Sequence, residues 1–161
     1  MLTARRLLST GLIVILLAGV INTATVHGDL SNTSVTATAD VGTAGCSDTV
    51  VVTLRLDSNP DSDTFKDWRV KLAYNTDALT FVGGTGNSGV WATGSGAGVQ
   101  THGGDTDGWV RIGEGNFTGE SVSSPVDLGT LKFEVIGEGS SDFSLIVADP
   151  YADTGFTAPD T

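Results

Sequence analysis

DWRVKLAYNTDALTFV, residues 67–82, decides the fold of this chain. Apolar side chains occupy every second position of its first half: Trp68, Val70, Leu72 and Tyr74. This alternation places one set of side chains on one face of a half-buried strand. A polar turn at 75–77 follows, and a second apolar run begins at Leu79. The stretch therefore predicts two strands joined by a turn, with Trp68 packed in the core.

Similar alternation recurs on both sides of this stretch, and no helical pattern of about ten residues or more appears beyond residue 28. The predicted strands are 35–41, 50–56, 68–74, 79–82, 99–101, 109–112, 128–135 and 143–147, with a further short strand at 90–92. The segment 113–126 is predicted to be a long connection. Short β-branched strands between glycine-rich turns indicate an all-β sandwich of two packed sheets.

The first 28 residues differ from the rest of the chain. Arg5 and Arg6 form a basic start, residues 11–21 are uninterruptedly apolar, and residues 22–28 turn polar. This is the layout of a secretory signal, and its apolar core is shorter than the ~20 residues of a membrane span. We therefore predict a cleaved signal peptide at 1–28 and a single domain at 29–161. The expected location is secreted, extracellular or at the cell surface, with no membrane insertion after signal removal.

The predicted domain is strongly acidic. Beyond residue 28, six Lys and Arg stand against 19 Asp and Glu, a net charge of −13. Nucleic acid is not an expected partner, because phosphate binding needs a basic surface. Cys46 is the only cysteine, which rules out a disulfide within the chain. We interpret it as a small, partly buried residue in a turn, with pairing between chains as the alternative.

Three segments resemble the cohesin family. Residues 67–82 are similar to the family's strand–turn–strand hallmark, with Asn75-Thr76-Asp77 in place of its usual turn. Residues 128–135, LGTLKFEV, look like its late strand, and 137–147 resemble the turn and strand that follow. The resemblance covers 34–147 and implies a jelly-roll β-sandwich, related in shape to carbohydrate-binding modules. It also implies a non-catalytic module that binds a dockerin-type or other surface protein.

The C-terminal end departs from this family pattern. The family's last strand is expected over 148–158 and should pair near the first strand, but Pro159 is poorly suited to a central strand. We expect either a stub of that strand at 154–157 or an incomplete sandwich. An incomplete sandwich leaves unpaired backbone groups that a neighbouring chain can fill, as in a self-assembling filament or surface layer. The donor strand would then lie in 29–40, where Val35, Ala37 and Ala39 alternate.

Several residues are candidates for other sites. Oxygen-bearing side chains alternate as at the start of a calcium loop, the alternative being an acidic solvated loop: Asp57, Asn59, Asp61 and Asp63. Asp105 and Asp107 are interpreted as turn residues. Asn32 and Asn116 begin glycosylation sequons, and Trp91 is the tryptophan that a carbohydrate-binding function would use. His102 is interpreted as a loop side chain with no serine or cysteine partner, so no enzyme is predicted.

Overall fold

The computed structural model describes residues 14–16, 22–25, 34–58, 64–87, 100–121, 124–139, 141–146 and 155–157. All the regular secondary structure in these ranges is β-strand. The strands are β1 (Val14–Leu16), β2 (Asn22–Thr25), β3 (Ser34–Ala39), β4 (Thr43–Gly45), β5 (Thr49–Ser58), β6 (Thr64–Ala73), β7 (Leu79–Gly86), β8 (Gln100–Gly104), β9 (Trp109–Ser121), β10 (Val126–Val135), β11 (Ser144–Leu145) and β12 (Gly155–Thr157). In the same ranges, no helix is long and apolar enough to cross a membrane.

The strands form two main antiparallel sheets. Sheet I has the order β2-β3-β5-β10-β7, and sheet II has the order β11-β6-β9-β8, with β12 also paired to β6. The two short strands β1 and β4 form a separate ribbon. This arrangement confirms the prediction of an all-β jelly-roll sandwich.

The core lies between the sheets and follows the alternation of the sequence. In β5 the inward positions of sheet I are Val50, Val52, Leu54 and Leu56, all fully buried. In sheet II, Trp68, Val70 and Leu72 of β6 face them and are also fully buried, which confirms the prediction for Trp68. Asn75 Oδ1 accepts a hydrogen bond from the Asp77 amide at 3.0 Å, which closes the predicted turn after β6.

An aromatic cluster fills one end of this core. The ring of Phe133, on β10 of sheet I, lies 4.8 Å from that of Tyr74, 5.6 Å from Phe81 and 5.0 Å from Phe143, measured between centroids. The interplanar angles of 47–59° are tilted, as aromatic pairs prefer. Tyr74 follows β6 and Phe143 precedes β11, so the cluster ties the two sheets together.

The prediction of a long connection over 113–126 is wrong for most of its length. Strand β9 continues to Ser121, and its second half pairs with the start of β6. The segment lacks alternating apolar residues, so its strand character comes from its neighbour. A Cβ atom at Gly113 would lie 2.5 Å from the Trp68 carbonyl oxygen, so only glycine allows β9 to approach β6 this closely.

The expected pairing of the last strand is also wrong. Residues 155–157 form β12, but its Phe156 is paired with Trp68 of β6 rather than near the first strand. Strand β11 pairs with the other end of β6, with Ser144 opposite Ala73. The edge of sheet I beside β3 is covered instead by β2. Because β2 lies within residues 1–28, the strand that covers this edge is part of the predicted signal peptide.

The possible donor strand for another chain, with Val35, Ala37 and Ala39, is β3 in the structure. It pairs with β5 of the same chain, and Val35 and Ala37 are almost completely buried.

Cys46 lies in the turn before β5, as expected, but it is exposed. The interpretation of Cys46 as partly buried is therefore wrong, because this turn projects beyond the packed sheets.

Candidate functional site

The outer face of sheet II carries a group of basic and aromatic side chains. In β6 the buried positions alternate with Arg69, Lys71 and Ala73, which therefore point away from the core. In β9 the buried Val110 and Ile112 alternate with Trp109 and Arg111 in the same way. The middle of this sheet thus turns cationic and aromatic side chains outward.

The register of the strands brings three of these side chains into one row. Lys71 of β6 is opposite Arg111 of β9, and Arg111 is opposite His102 of β8. Residues directly opposite each other share a face of the sheet, on strands about 4.8 Å apart. We call Arg69, Lys71, His102, Trp109 and Arg111 the basic face. His102 is exposed but lies in a strand, so its interpretation as a loop residue is wrong.

Trp109 lies beside this row, two residues before Arg111 on β9, and is held there by two neighbours. The Lys71 Nζ atom lies 4.3 Å from the centroid of the Trp109 ring, in cation–π range. On the other side, a Cβ atom at Gly103 would lie 2.6 Å from the Trp109 ring. Gly103 has φ of +83°, a backbone conformation that glycine adopts readily. Strand β8 thus makes room for the indole ring, and the ring in turn orders the lysine.

The basic face stands out against the composition of the chain. Of the six Lys and Arg beyond residue 28, four belong to β6 and β9: Lys66, Arg69, Lys71 and Arg111. Among the side chains whose exposure the structure describes in β6, β8 and β9, every charged one on the outer face is basic. The described part of this face is therefore basic, on a chain that is acidic as a whole.

Asp105 occupies the turn between β8 and β9 and joins the two sheets. Its Oδ1 atom accepts hydrogen bonds from the Tyr74 hydroxyl at 2.6 Å and from the Phe81 amide at 2.9 Å. Its Oδ2 atom accepts one from the Thr80 hydroxyl. Tyr74 follows β6 of sheet II, whereas Thr80 and Phe81 belong to β7 of sheet I. The carboxylate is fully engaged, which supports the interpretation of Asp105 as a structural residue.

Burial and these hydrogen bonds shift the pKa values of Tyr74 and Asp105. Burial raises the pKa of Tyr74, and donation to the Asp105 carboxylate and repulsion by Asp105 and Asp107 raise it further. For Asp105, partial burial raises the pKa, but the bonds from Thr80, Tyr74 and the Phe81 amide outweigh it and hold that pKa below its usual range.

The raised pKa of Tyr74 predicts that the protein loses stability at alkaline pH. Because its pKa is raised in the folded state, its contribution is complete below the unfolded-state pKa of about 10 and is lost as the pH rises above that value. The free energy of unfolding should fall by up to about 1.4 kcal/mol per pH unit from this one group. Urea denaturation of the protein and of Tyr74→Phe from neutral pH upward measures it, and equal alkaline slopes for the two would contradict the assignment.

The candidate metal site falls mostly outside the described residues. Asp57 lies at the end of β5, where its Oδ1 atom is 3.5 Å from Arg55 Nε and its Oδ2 atom is buried without a hydrogen-bond partner. Asn59, Asp61 and Asp63 are outside the described ranges. No group of three or more metal-binding side chains occurs among the residues that the structure describes. Calcium binding at this loop stays a prediction.

The remaining sequence candidates are separate from the basic face. Asn32 and Trp91 lie outside the described ranges, so glycosylation at Asn32 and carbohydrate binding through Trp91 stay predictions. Asn116 lies in β9, where the register with β6 shifts. The sequence pattern alone did not predict the basic face. The alternation that buries Trp68 already points Arg69 and Lys71 outward, but the positions of Arg111 and His102 beside them depend on the register of three strands.

Known structures with a similar fold are cohesin modules. No protein-family model and no curated protein matches the chain. A type II Cohesin-X-Dockerin complex from Acetivibrio cellulolyticus is 15% identical over 75% of this chain and 83% of that chain, with a TM-score of 0.56. The second type II cohesin module of the ScaA scaffoldin from the same organism is 16% identical over 77% of both chains, with a TM-score of 0.55. The seventh ScaB type I cohesin of Pseudobacteroides cellulosolvens is 13% identical over 72% of this chain and 78% of that chain, with a TM-score of 0.54.

These matches agree with the topology described above. They extend over most of each chain, and at such low identity they concern the arrangement of strands rather than individual side chains. The resemblance predicted from residues 67–82 and 128–147 is thereby confirmed. The chain is a β-sandwich with the cohesin fold.

Proposed function

We propose that this chain is a secreted, non-catalytic module that recognises a dockerin-type protein through the outer face of sheet II. Two structures of similar fold support a partner of this kind. One is a type II Cohesin-X-Dockerin complex, and the other is the third cohesin ScaC in complex with the ScaB dockerin, with a TM-score of 0.54. The predicted signal peptide at 1–28 supports secretion.

The single observation that carries the proposal is the basic face. Tryptophan and arginine are the residues most enriched among those that dominate the energy of protein interfaces. Here Trp109 and two arginines lie together on the outer face of sheet II. Lys71 is ordered by the Trp109 ring, so less side-chain freedom remains to be lost on binding. The surface offers a binding platform rather than a cleft for chemistry.

A binding assay with defined probes tests the proposal. Purified dockerin domains from the source organism are titrated into the domain by calorimetry. We expect one of them to bind, and Trp109→Ala to weaken that binding by about 2 kcal/mol, roughly thirtyfold, as for a central interface residue. Val82→Ala is the matched control, since Val82 is 60% exposed on β7 of sheet I.

Two results would count against the proposal. If no dockerin binds, the partner class is wrong. If a dockerin binds and the two variants weaken it equally, the docking surface lies elsewhere on the domain.

A second candidate, self-assembly by strand exchange, is favoured by the pairing of β2. Cleavage after Gly28 would remove β2 and leave the outer edge of β3 unpaired, an edge that a strand of another chain can join. Strand β3 would then serve as the acceptor, because Val35 and Ala37 are held in the core of their own chain. Long polymers of the secreted protein in electron micrographs would support this function, and a stable monomer at high concentration would contradict it.

A further inference from the structure

Strand β7 forms one edge of sheet I. Its inner side pairs with β10 from Leu79 to Gly86, and no strand pairs with its outer side among the residues that the structure describes. An open edge presents backbone amides and carbonyls that a strand of another molecule can join. Natural proteins usually protect such edges with charged side chains, proline or a bulge. The protection of β7 therefore bears on whether two copies of this chain associate.

The sequence of β7 offers little protection of its own. LTFVGGTG contains no proline, and it is the longest strand in the described ranges without a charged side chain. Val82 is 60% exposed, and the register with β10 shifts at this residue. Such a bulge disturbs the ladder and bends the strand locally. The stretch before the bulge, 79–81, depends on another contact.

That contact is made by the Asp105 carboxylate, which comes from sheet II. The Phe81 amide donates to Asp105 Oδ1 at 2.9 Å, so this N–H points away from β10 and toward the open side of β7. The Thr80 hydroxyl donates to Oδ2 of the same carboxylate. A carboxylate accepts hydrogen bonds and donates none. Asp105 therefore occupies the position at which the carbonyl of an added strand would accept from Phe81.

We infer that Asp105 protects the outer edge of β7 and prevents a second copy of the chain from pairing with it there. This inference does not depend on the identity of the partner proposed above. The Tyr74 hydroxyl donates to Asp105 Oδ1 at 2.6 Å and holds the carboxylate in place. Moving the carboxylate aside would leave that hydroxyl, on a side chain only 6% exposed, without its acceptor. Two Asp105 carboxylates brought together across paired edges would also repel each other.

A second copy of β7 is the strand that best fits the edge once Asp105 is removed. Antiparallel pairing of a strand with itself gives a closed twofold dimer, in which each partner contributes the same residues. The net charge of −13 beyond residue 28 opposes most contacts between two copies. Because β7 carries no charge, pairing through it places no like charges directly opposite each other.

Sedimentation equilibrium of Asp105→Ala and of the unmodified protein tests the inference. Alanine removes the acceptor of the Phe81 amide and the repelling charge together. We expect the variant to dimerise at least about tenfold more tightly than the unmodified protein, which is what one or two net hydrogen bonds are worth. As the concentration of the variant rises, hydrogen exchange should slow at the amides of 81–86.

Two further variants separate the edge from a general loss of stability. Leu54→Ala removes a fully buried side chain of β5 and destabilises the protein without altering β7, so it should associate no more than the unmodified protein does. Asp105→Ala/Val82→Lys places a lysine on the freed strand, as natural edges do, and should return association to the unmodified level. If Asp105→Ala does not fold, as judged by its thermal unfolding, Asp105→Asn replaces it. Asparagine keeps one acceptor oxygen but loses the charge, so this variant should still associate more than the unmodified protein.

The outcomes are distinct. Dimers of the Asp105 variant with slowed exchange in β7, reversed by Val82→Lys, would support the inference. Equal association of the Asp105 variant and the unmodified protein would overturn it, as would equal association of the Asp105 variant and Leu54→Ala. Association that Val82→Lys does not reverse would also overturn it. Slowed exchange in β3 instead of β7 would contradict it and assign the contact to the opposite edge of sheet I.

Discussion

Phe133→Ala is expected to lower the free energy of unfolding by about 3–5 kcal/mol, the range for removing a fully buried phenylalanine. Phe133 is completely buried and contacts three other aromatic rings, those of Tyr74, Phe81 and Phe143. Its loss removes apolar contacts and leaves a cavity that rings anchored in both sheets cannot collapse to fill. Since domains of this size are stable by only about 5–15 kcal/mol, urea denaturation should show a large decrease in the midpoint.

The neighbouring residue provides the control for this change. Lys132 lies on the same strand but is exposed on the outer face, so Lys132→Ala should change stability by no more than about 0.5 kcal/mol. Phe133→Leu should fall between the two. A loss below about 1 kcal/mol for Phe133→Ala would mean that the aromatic cluster is not the centre of the core.

Asp105→Ala is expected to cost about 2–4 kcal/mol, although this side chain is not part of the core. It accepts hydrogen bonds from Tyr74, Thr80 and the Phe81 amide, two of which arise in β7 of the other sheet. Removing the carboxylate leaves the Tyr74 hydroxyl, on a side chain only 6% exposed, without its acceptor. Tyr74→Phe removes one of the three bonds and should cost less. The double variant should cost less than the sum of the two, because the residues share one contact.

Asp107→Ala is the matched control, since Asp107 is an exposed aspartate in the same turn. It should change stability by no more than about 0.5 kcal/mol, and equal effects of the two substitutions would contradict the role of Asp105.

The dependence of stability on acidic pH provides a second check on Asp105. The pKa of Asp105 is lowered in the folded state, so its contribution is present above the unfolded-state value of about 3.9 and is lost as the pH falls through the lower folded value. The difference between the protein and Asp105→Asn should therefore shrink in acid.

Alternation of side chains made most of sheet I predictable. Strand β5 buries every second residue against the core, and β3 and β10 do so for most of their apolar residues; that pattern is visible in the sequence around Val35, Leu54 and Leu131. Strand β6 is predictable for the same reason. Its Trp68 follows the register of Val70 and Leu72, so its burial required no knowledge of the partner strand.

The full extent of sheet II could not be predicted, because parts of its strands depend on their neighbours. The second half of β9 contains glycine and polar residues and is held by pairing with the start of β6. The sequence predicted a short strand at the position of β12 but not its partner strand. Its three residues carry too little pattern to indicate which edge strand it pairs with. The basic face and the Asp105 bonds are contacts between distant segments. The first depends on the register of β6, β8 and β9, and the second on where one turn meets β7.

The distribution of amines decides how this protein should be attached to a sensor surface. Lysine occurs at positions 66, 71 and 132, and the first two lie on β6, with Lys71 in the basic face itself. Coupling through lysine would therefore often tether the molecule by the surface that is meant to remain accessible. Cys46 is exposed in the turn before β5 and is the only thiol in the chain. Coupling through that thiol would give every molecule one attachment point, away from sheet II.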